Sequence, residues 1–317
     1  MLLWRFAVSI LSMCMLVLGA VVASGQDFPS KPIRLVVAAP GGGSDFTARQ
    51  LTQGLGQLLI IDYRGGGIQS IEYVQKSPSD GYTLHITGST LWVLPLVNSK
   101  VPYDSEKDFV PITMTDISPG ILLVHPSLPV KSVKELIDLA KARPGELNYS
   151  SSPAGGSGHL AGESFKYMAG VNVTWVPYKA AGLAVQALIG GEVQMTVNDA
   201  SVVMPHVKSG RLRALGVTTL QPSVLAPGLA TISATGLPGY EVVGRTGIWA
   251  PAKTPDAVIR KLNQEFVRVL NQPDVKERLL NSGVEAVGNS PEQFAALIRS
   301  EIVKVGKLVK DAGIRAN

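Results

Sequence analysis

Short β-branched runs alternate with helical patterns along most of this chain, and no other feature constrains its fold as strongly. Candidate strands are IRLVVAA (33–39), YTLHITG (82–88), ILLVH (121–125), ELNYSSS (146–152), VTWVPY (173–178), VQMTVND (193–199), LRALGVTT (212–219) and TGIWAP (246–251). Runs of this length and composition, separated by helical periodicity, predict an α/β fold with largely parallel, buried sheets. Helix starts are marked by caps. Ser132 precedes Glu135 by three residues, and Ser290, Pro291 and Gln293 form a capping-box pattern. Thr254 is the expected cap and Pro255 the first residue of a helix whose apolar positions are Val258, Leu262, Phe266 and Leu270. Three long helical patterns, 255–271, 273–281 and 291–312, close the chain.

No internal repeat or low-complexity linker divides the sequence. If two lobes exist, the chain passes between them through structured segments, and ILLVH and LRALGVTT are the natural crossings. A cleft between two such lobes is a common place for a small ligand.

The first 25 residues differ in kind. Arg5 is their only charge, an apolar stretch runs from Phe6 to Val22, and Ala23, Ser24 and Gly25 are small. This is the pattern of a secretory signal cleaved after Ala23 or Gly25; an uncleaved anchor is the alternative, although the stretch is short for a spanning helix. Cys14 suggests a lipoprotein, but Met13 precedes it where a small residue is usual. Removal of this segment takes away the single cysteine and leaves 28 basic against 24 acidic side chains. The secreted chain is then expected to hold no disulfide, thiol nucleophile or cysteine metal site. Basic residues form no run and do not alternate with aromatics, so nucleic acid is not an expected partner.

Three glycine- and hydroxyl-rich loops follow strands and precede helices. They are PGGGSD (40–45), GSTLW (88–92) and SSSPAGGSGHLAGE (150–163). Each offers backbone N–H groups at the positive end of a helix, a combination suited to an anion, and in a parallel sheet all three sit at the carboxyl ends of their strands. A tight turn is the plain alternative for any one of them. Enzyme motifs fail: no lysine follows the glycines as a Walker loop requires, GGSGH puts His159 where a nucleophile elbow needs glycine, and the dinucleotide spacing is absent. His85, His125, His159 and His206 lie far apart, with no metal-ligand spacing. Asp45 reads as a first-turn acid and Asp199 as the end of a strand. Arg245 interrupts an apolar strand, either to meet a carboxylate in a cleft or to lie on an exposed edge.

Seven ordered segments, among them KPIRLVVAAPGGGSDFTAR, SDGYTLHITGST, VPYDSEKDFVPITM, GELNYSSSPAGGSGHLAGE and GIWAPAKTPDAVIRKLN, resemble the Bug/TctC family of extracytoplasmic solute receptors of tripartite tricarboxylate transporters. The resemblance implies a type II periplasmic-binding-protein fold, with two α/β lobes and a ligand cleft between them. It divides the chain into a signal peptide (1–25), a discontinuous first lobe (26–122 plus 218–317) and a second lobe (123–217). The implied ligand contacts are Gly42, Gly43, Ser44 and Asp45 in the first loop, Ser89 and Thr90 in the second, and Ser157 and Gly158 in the third. The sequence departs from the family in three places. The first helix looks about one turn short, with YRGGGIQSIEY replacing a longer Arg-Pro-Gly tract. Asn198 stands at the usual acid position, and Arg245 with Thr246 replaces an aromatic pair. Both Asn198 and Arg245 join the expected ligand contacts.

The expected function is a monomeric periplasmic receptor that captures a small carboxylate and presents it to membrane permease subunits, with no catalysis and no cofactor. A secreted hydrolase using Ser157 and His159 in the same cleft, or a ligand sensor for a signalling partner, is the alternative.

Overall fold

The computed structural model describes residues 28–40, 43–66, 68–151, 155–311 and 313. The expected signal peptide and Gly42 lie outside the described residues. The chain begins with β1 (Ile33–Val37), α1 (Gly43–Leu55), β2 (Leu59–Tyr63), α2 (Ile68–Gln75), β3 (Thr83–Thr87) and α3 (Thr90–Val97). It continues through β4 (Phe109–Val124), α4 (Val133–Ala142), β5 (Asn148–Ser151), α5 (Ser157–Ala169), β6 (Thr174–Pro177) and α6 (Ala181–Ile189). Next come β7 (Met195–Asp199), α7 (Ala200–Lys208), β8 (Arg213–Val217), α8 (Ile232–Thr235) and β9 (Val243–Pro251). The last elements are α9 (Asp256–Leu270), α10 (Pro273–Asn281), β10 (Glu285–Ala286) and α11 (Pro291–Asp311).

The strands lie in the order β2-β1-β3-β9-β4-β7-β5-β6, with β10 and β8 also paired to β4. At one end β1 runs parallel to β2 and β3; at the other β5 runs parallel to β6 and β7. These parallel sets confirm the expected α/β class, and antiparallel β4 and β9 join them. The 16-residue β4 changes partners along its length. Phe109–Pro119 faces β9, and Gly120–Val124 faces β7 and β8. Gly120 lies at the change: its N–H donates to Thr218 Oγ1 at 2.9 Å, and a Cβ there would stand 3.1 Å from Thr218 and Val197.

Separate cores form on the two sides of this change. Leu35, Leu51, Leu84, Ile248 and Phe266 pack together around the first parallel set. Leu122, Leu136, Tyr149, Phe165 and Met195 do so around the second. Ile232, Leu237 and Tyr240, which follow β8, belong to this second core. Trp92, Trp249 and Phe294 fill the space beside β9, and Leu160 of α5 joins them from across the molecule.

Most predicted strands and the three closing helices are present. The expected caps hold at Ser132, whose Oγ accepts from the Glu135 N–H at 3.1 Å, and at Ser290, which exchanges two hydrogen bonds with Gln293. One cap is corrected. Pro255, not Thr254, occupies the N-cap of α9, because the Thr254 hydroxyl turns back to donate to Pro251 O at 2.7 Å. The strand expected over 121–125 is the end of β4, whose Pro111 and Pro119 break its apolar run; β-bulges flank Pro111 and Asp116.

Gly162 brings α5 against β5, since a Cβ at this position would collide with the buried Tyr149 ring. Gly162→Val is therefore expected to lower stability by about 1–3 kcal/mol through overpacking. Urea unfolding with an unchanged slope and a lower midpoint would bear this out; an unchanged midpoint would refute the close approach.

Candidate functional site

The third glycine loop is held in place from below. Gly155 has φ +83°, a conformation that favours glycine, and its N–H donates to His159 Nδ1 at 3.2 Å. His159 is buried against Trp175, with ring centroids 4.1 Å apart, and Trp175 Nε1 donates to Ser151 Oγ at 2.8 Å. Gly156 then caps α5 without a side chain, so the first-turn N–H groups have no partner inside the helix. Burial pushes the His159 imidazole below its usual range, and it serves here as an acceptor that shapes the loop. No hydrogen bond joins Ser157 to His159 among the described residues.

Ser157 and Gly158 line a cavity of about 30 Å³ at the change of partners in β4. Its far wall comes from the crossing strands: Gly120 of β4, Asn198 and Asp199 at the end of β7, and Gly244 of β9. Register explains the meeting, because Gly120 pairs with Asp199 and Ser118 with Gly244. Asn198 acts on its surroundings. Its Nδ2 donates to Ala181 O at 3.2 Å, at the start of α6, and its Oδ1 accepts from the Asp199 N–H at 3.0 Å.

Two carboxyls lie beside the crossing, Asp116 buried and Asp199 half-buried. Burial pushes Asp199 above the usual carboxylate range, with the Ser118 hydroxyl pulling the other way. Ser118 Oγ itself is buried without a well-formed hydrogen bond among the described residues. Burial also pushes Asp116 up to about 6, and the Asp199 charge adds to the push. Thr47 Oγ1 at 3.0 Å and Thr115 Oγ1 at 2.8 Å donate to Asp116 Oδ2 and oppose it. The cavity thus has helix N–H groups on one wall and an acid on the other.

The remaining expected contacts are distributed unequally. Ser89 heads α3 and, with Ser157 and Arg245, lines a second cavity of about 260 Å³. Arg245 is largely buried and already paired: Nη1 lies 2.7 Å from Glu301 Oε1 of α11 and donates to Val243 O at 3.3 Å. Asp45 accepts from Tyr63 Oη at 2.6 Å and from Arg49 Nε at 3.1 Å, which ties it to β2 and its own helix. Gly43 is exposed and Ser44 half-buried, and with Asp45 they line neither cavity. Thr90 O accepts from Tyr103 Oη at 3.3 Å, and Thr90 is likewise absent from both walls.

Sequence reasoning passed over Gly120, Gly244 and Asp116 and read Asp199 only as a strand end. A buried acid after an alternating apolar run is a weak signal, and the pairing that buries it joins strands about 80 residues apart. No cluster of three potential ligands that could hold a metal occurs among the described residues, and none of their helices is long and apolar enough to cross a membrane.

Two α/β sets joined by crossing strands, with an anion-suited helix terminus at the junction, define a solute-binding protein. The family model for the tripartite tricarboxylate transporter family receptor (TctC) matches residues 46–314, and the chain belongs to this family of extracytoplasmic receptors. Among curated relatives, the UPF0065 protein in the tcbD-tcbE intergenic region of Pseudomonas sp. (strain P51) is 35% identical, covering 92% of this chain and 89% of its own. BugT of Bordetella pertussis is 31% identical over 93% of this chain and 94% of its own. Among solved structures, R. palustris Rpa4515 with adipate superposes with TM-score 0.83 at 35% identity, covering 91% of this chain and 99% of that one. MatC from Rhodopseudomonas palustris with bound malate gives TM-score 0.78 at 27% identity, over 89% and 100% of the two chains.

The buried acids make stability depend on pH. Asp116 titrates near 6 in the folded chain and near 3.8 when unperturbed, so the folded state binds the extra proton between those values. This contribution is present below pH 4 and lost as pH rises through 6, about 2–3 kcal/mol in all. Asp116→Asn is expected to remove that part of the fall and to leave the variant more stable than the parent at pH 8. Chemical denaturation at pH 4 and 8 measures it; equal pH slopes in parent and variant would contradict the assignment.

Proposed function

We propose that this protein is a periplasmic receptor that captures a small carboxylate between its two lobes and presents it to the membrane subunits of a tripartite tricarboxylate-type transporter. The observation that carries this reading is the α5 N-terminus, with Ser157 and Gly158 facing the cavity where β4, β7 and β9 cross. First-turn N–H groups with no partner inside the helix, together with the helix dipole, favour a carboxylate there. The adipate and malate in two related structures support the same ligand class.

The lobe boundaries follow the cores. The first crossing falls at Gly120, close to the expected 122/123 division. The packing of Ile232, Leu237 and Tyr240 with the second core supports a return crossing near Val242, beyond the expected 217/218 division. Closure follows from better ligand contacts in the closed state than in the open one. The reading involves no cofactor and no turnover, and a single chain suffices. Against a hydrolase, His159 Nδ1 accepts from Gly155 and the ring packs tilted against Trp175, and no base is hydrogen-bonded to Ser157 among the described residues.

A thermal-shift screen of di- and monocarboxylates tests the class, since any ligand that binds only the folded chain raises its midpoint. Gly244→Ala tests the place. Its Cβ would stand 3.2 Å from Ser118 O and 3.7 Å from Asp199 Oδ1, so the cavity wall shifts; carboxylate affinity is expected to fall about tenfold, roughly 1.4 kcal/mol, measured on variant protein shown to be folded. Undiminished affinity would place the ligand elsewhere, and chemical conversion of the ligand would favour the hydrolase.

A further inference from the structure

The larger cavity runs along α5. Ser157, Leu160, Ser164, Tyr167 and Met168 line it, and their spacing puts them on one face of the helix. Glu301, Lys304, Val305, Leu308 and Asp311 form the facing stripe on α11. At a rise of 1.5 Å per residue, the face from Ser157 to Met168 is about 16 Å long.

The two ends of this groove differ. At the near end Ser157 and Val242 belong both to it and to the small cavity at the α5 N-terminus. At the far end Tyr167 Oη donates to Asp311 Oδ2 at 3.4 Å, joining the two helices. Most of the wall between is apolar, from Leu160, Val242, Val243, Val305 and Leu308. Its charges are largely matched: Arg245 pairs with Glu301 at 2.7 Å and Lys304 with Glu241 at 3.2 Å, while Lys307 stands exposed at the mouth. Tyr167 and Met168, which flank this cavity of about 260 Å³, remain 47% and 40% exposed.

We propose that the ligand is a monocarboxylate with an apolar tail, an alkyl chain or a single aromatic ring, whose head sits at the α5 N-terminus and whose tail lies in the groove between α5 and α11. The inference rests on the carboxylate reading above and narrows it. A tail in the groove covers apolar wall that is otherwise exposed, and it meets no unpaired buried charge on the way. A second carboxylate carried into the groove would find Arg245 and Lys304 already paired with Glu301 and Glu241, and Asp311 at the far end; Lys307 stands at the mouth.

Calorimetry of the secreted protein with acetate, butanoate, hexanoate, octanoate and benzoate tests this. Affinity is expected to rise about three- to fourfold for each added methylene, from ~0.8 kcal/mol per buried CH₂. Val305→Trp and Ser164→Phe, on opposite walls, are each expected to weaken octanoate at least tenfold and leave acetate unchanged; either variant alone suffices if the other does not fold. Affinity that is flat with chain length, or a dicarboxylate that binds more tightly than the monocarboxylate of equal length, overturns the tail assignment and leaves the receptor reading standing. If no carboxylate binds at any length, the receptor reading itself fails, and this inference with it.

Discussion

β4 pairs with β9 along its first eleven residues and with β7 and β8 along its last five, and the rest of the molecule is arranged around that exchange. A strand can change partners only where the two partners diverge and backbone groups remain satisfied. At Gly120 the Thr218 hydroxyl supplies the acceptor for the strand N–H, and the lack of a side chain lets Thr218 and Val197 approach. The two cores can then form independently on either side. Their separation leaves a gap beside the crossing, and α5 points its N-terminus into that gap.

The electrostatics of the gap follow from the same geometry. Strands that cross bury whatever side chains they carry, and here those include Asp116 and Asp199, both driven toward their neutral forms by burial. Burial thereby favours the protonated form of each acid, which lessens the repulsion that two freely ionised carboxylates would exert on an anion at the opposite wall. Arg245, the one cation that the sequence offered for the cleft, is instead matched by Glu301 of the terminal helix, 56 residues away. That pair neutralises the wall of the neighbouring groove. Charge is therefore managed locally by burial and pairing, and the α5 N-terminus is the anion-suited group of the proposed site.

Features set by neighbours in sequence were the legible ones. The β1 and β3 strands, the second parallel set, the α9–α11 helices and the Ser132 and Ser290 caps all follow from periodicity or a three-residue pattern. The third glycine loop was legible for the same reason, and Ser157 and Gly158 do line the cavity. Where pairing over long distances decides, the sequence was mute. The first part of β4 carries two prolines that mask it, β2 is a short LIIDY run beside a glycine tract, and the Gly120, Asp199 and Gly244 wall is assembled from three distant strands. Asp45 reads locally as a first-turn acid, and its bonds to Tyr63 and Arg49 include a partner 18 residues away that the local pattern does not announce.

The central claim is that a carboxylate is held by the first turn of α5 at the strand crossing. A crystal structure with a bromine-labelled carboxylate tests it most directly, because anomalous scattering fixes the ligand's position and orientation without prior assumption. The account predicts carboxylate oxygens about 2.7–3.2 Å from the Ser157 and Gly158 backbone nitrogens, on the side facing Asp199. A carboxylate ordered elsewhere, with that helix terminus unoccupied, would contradict it.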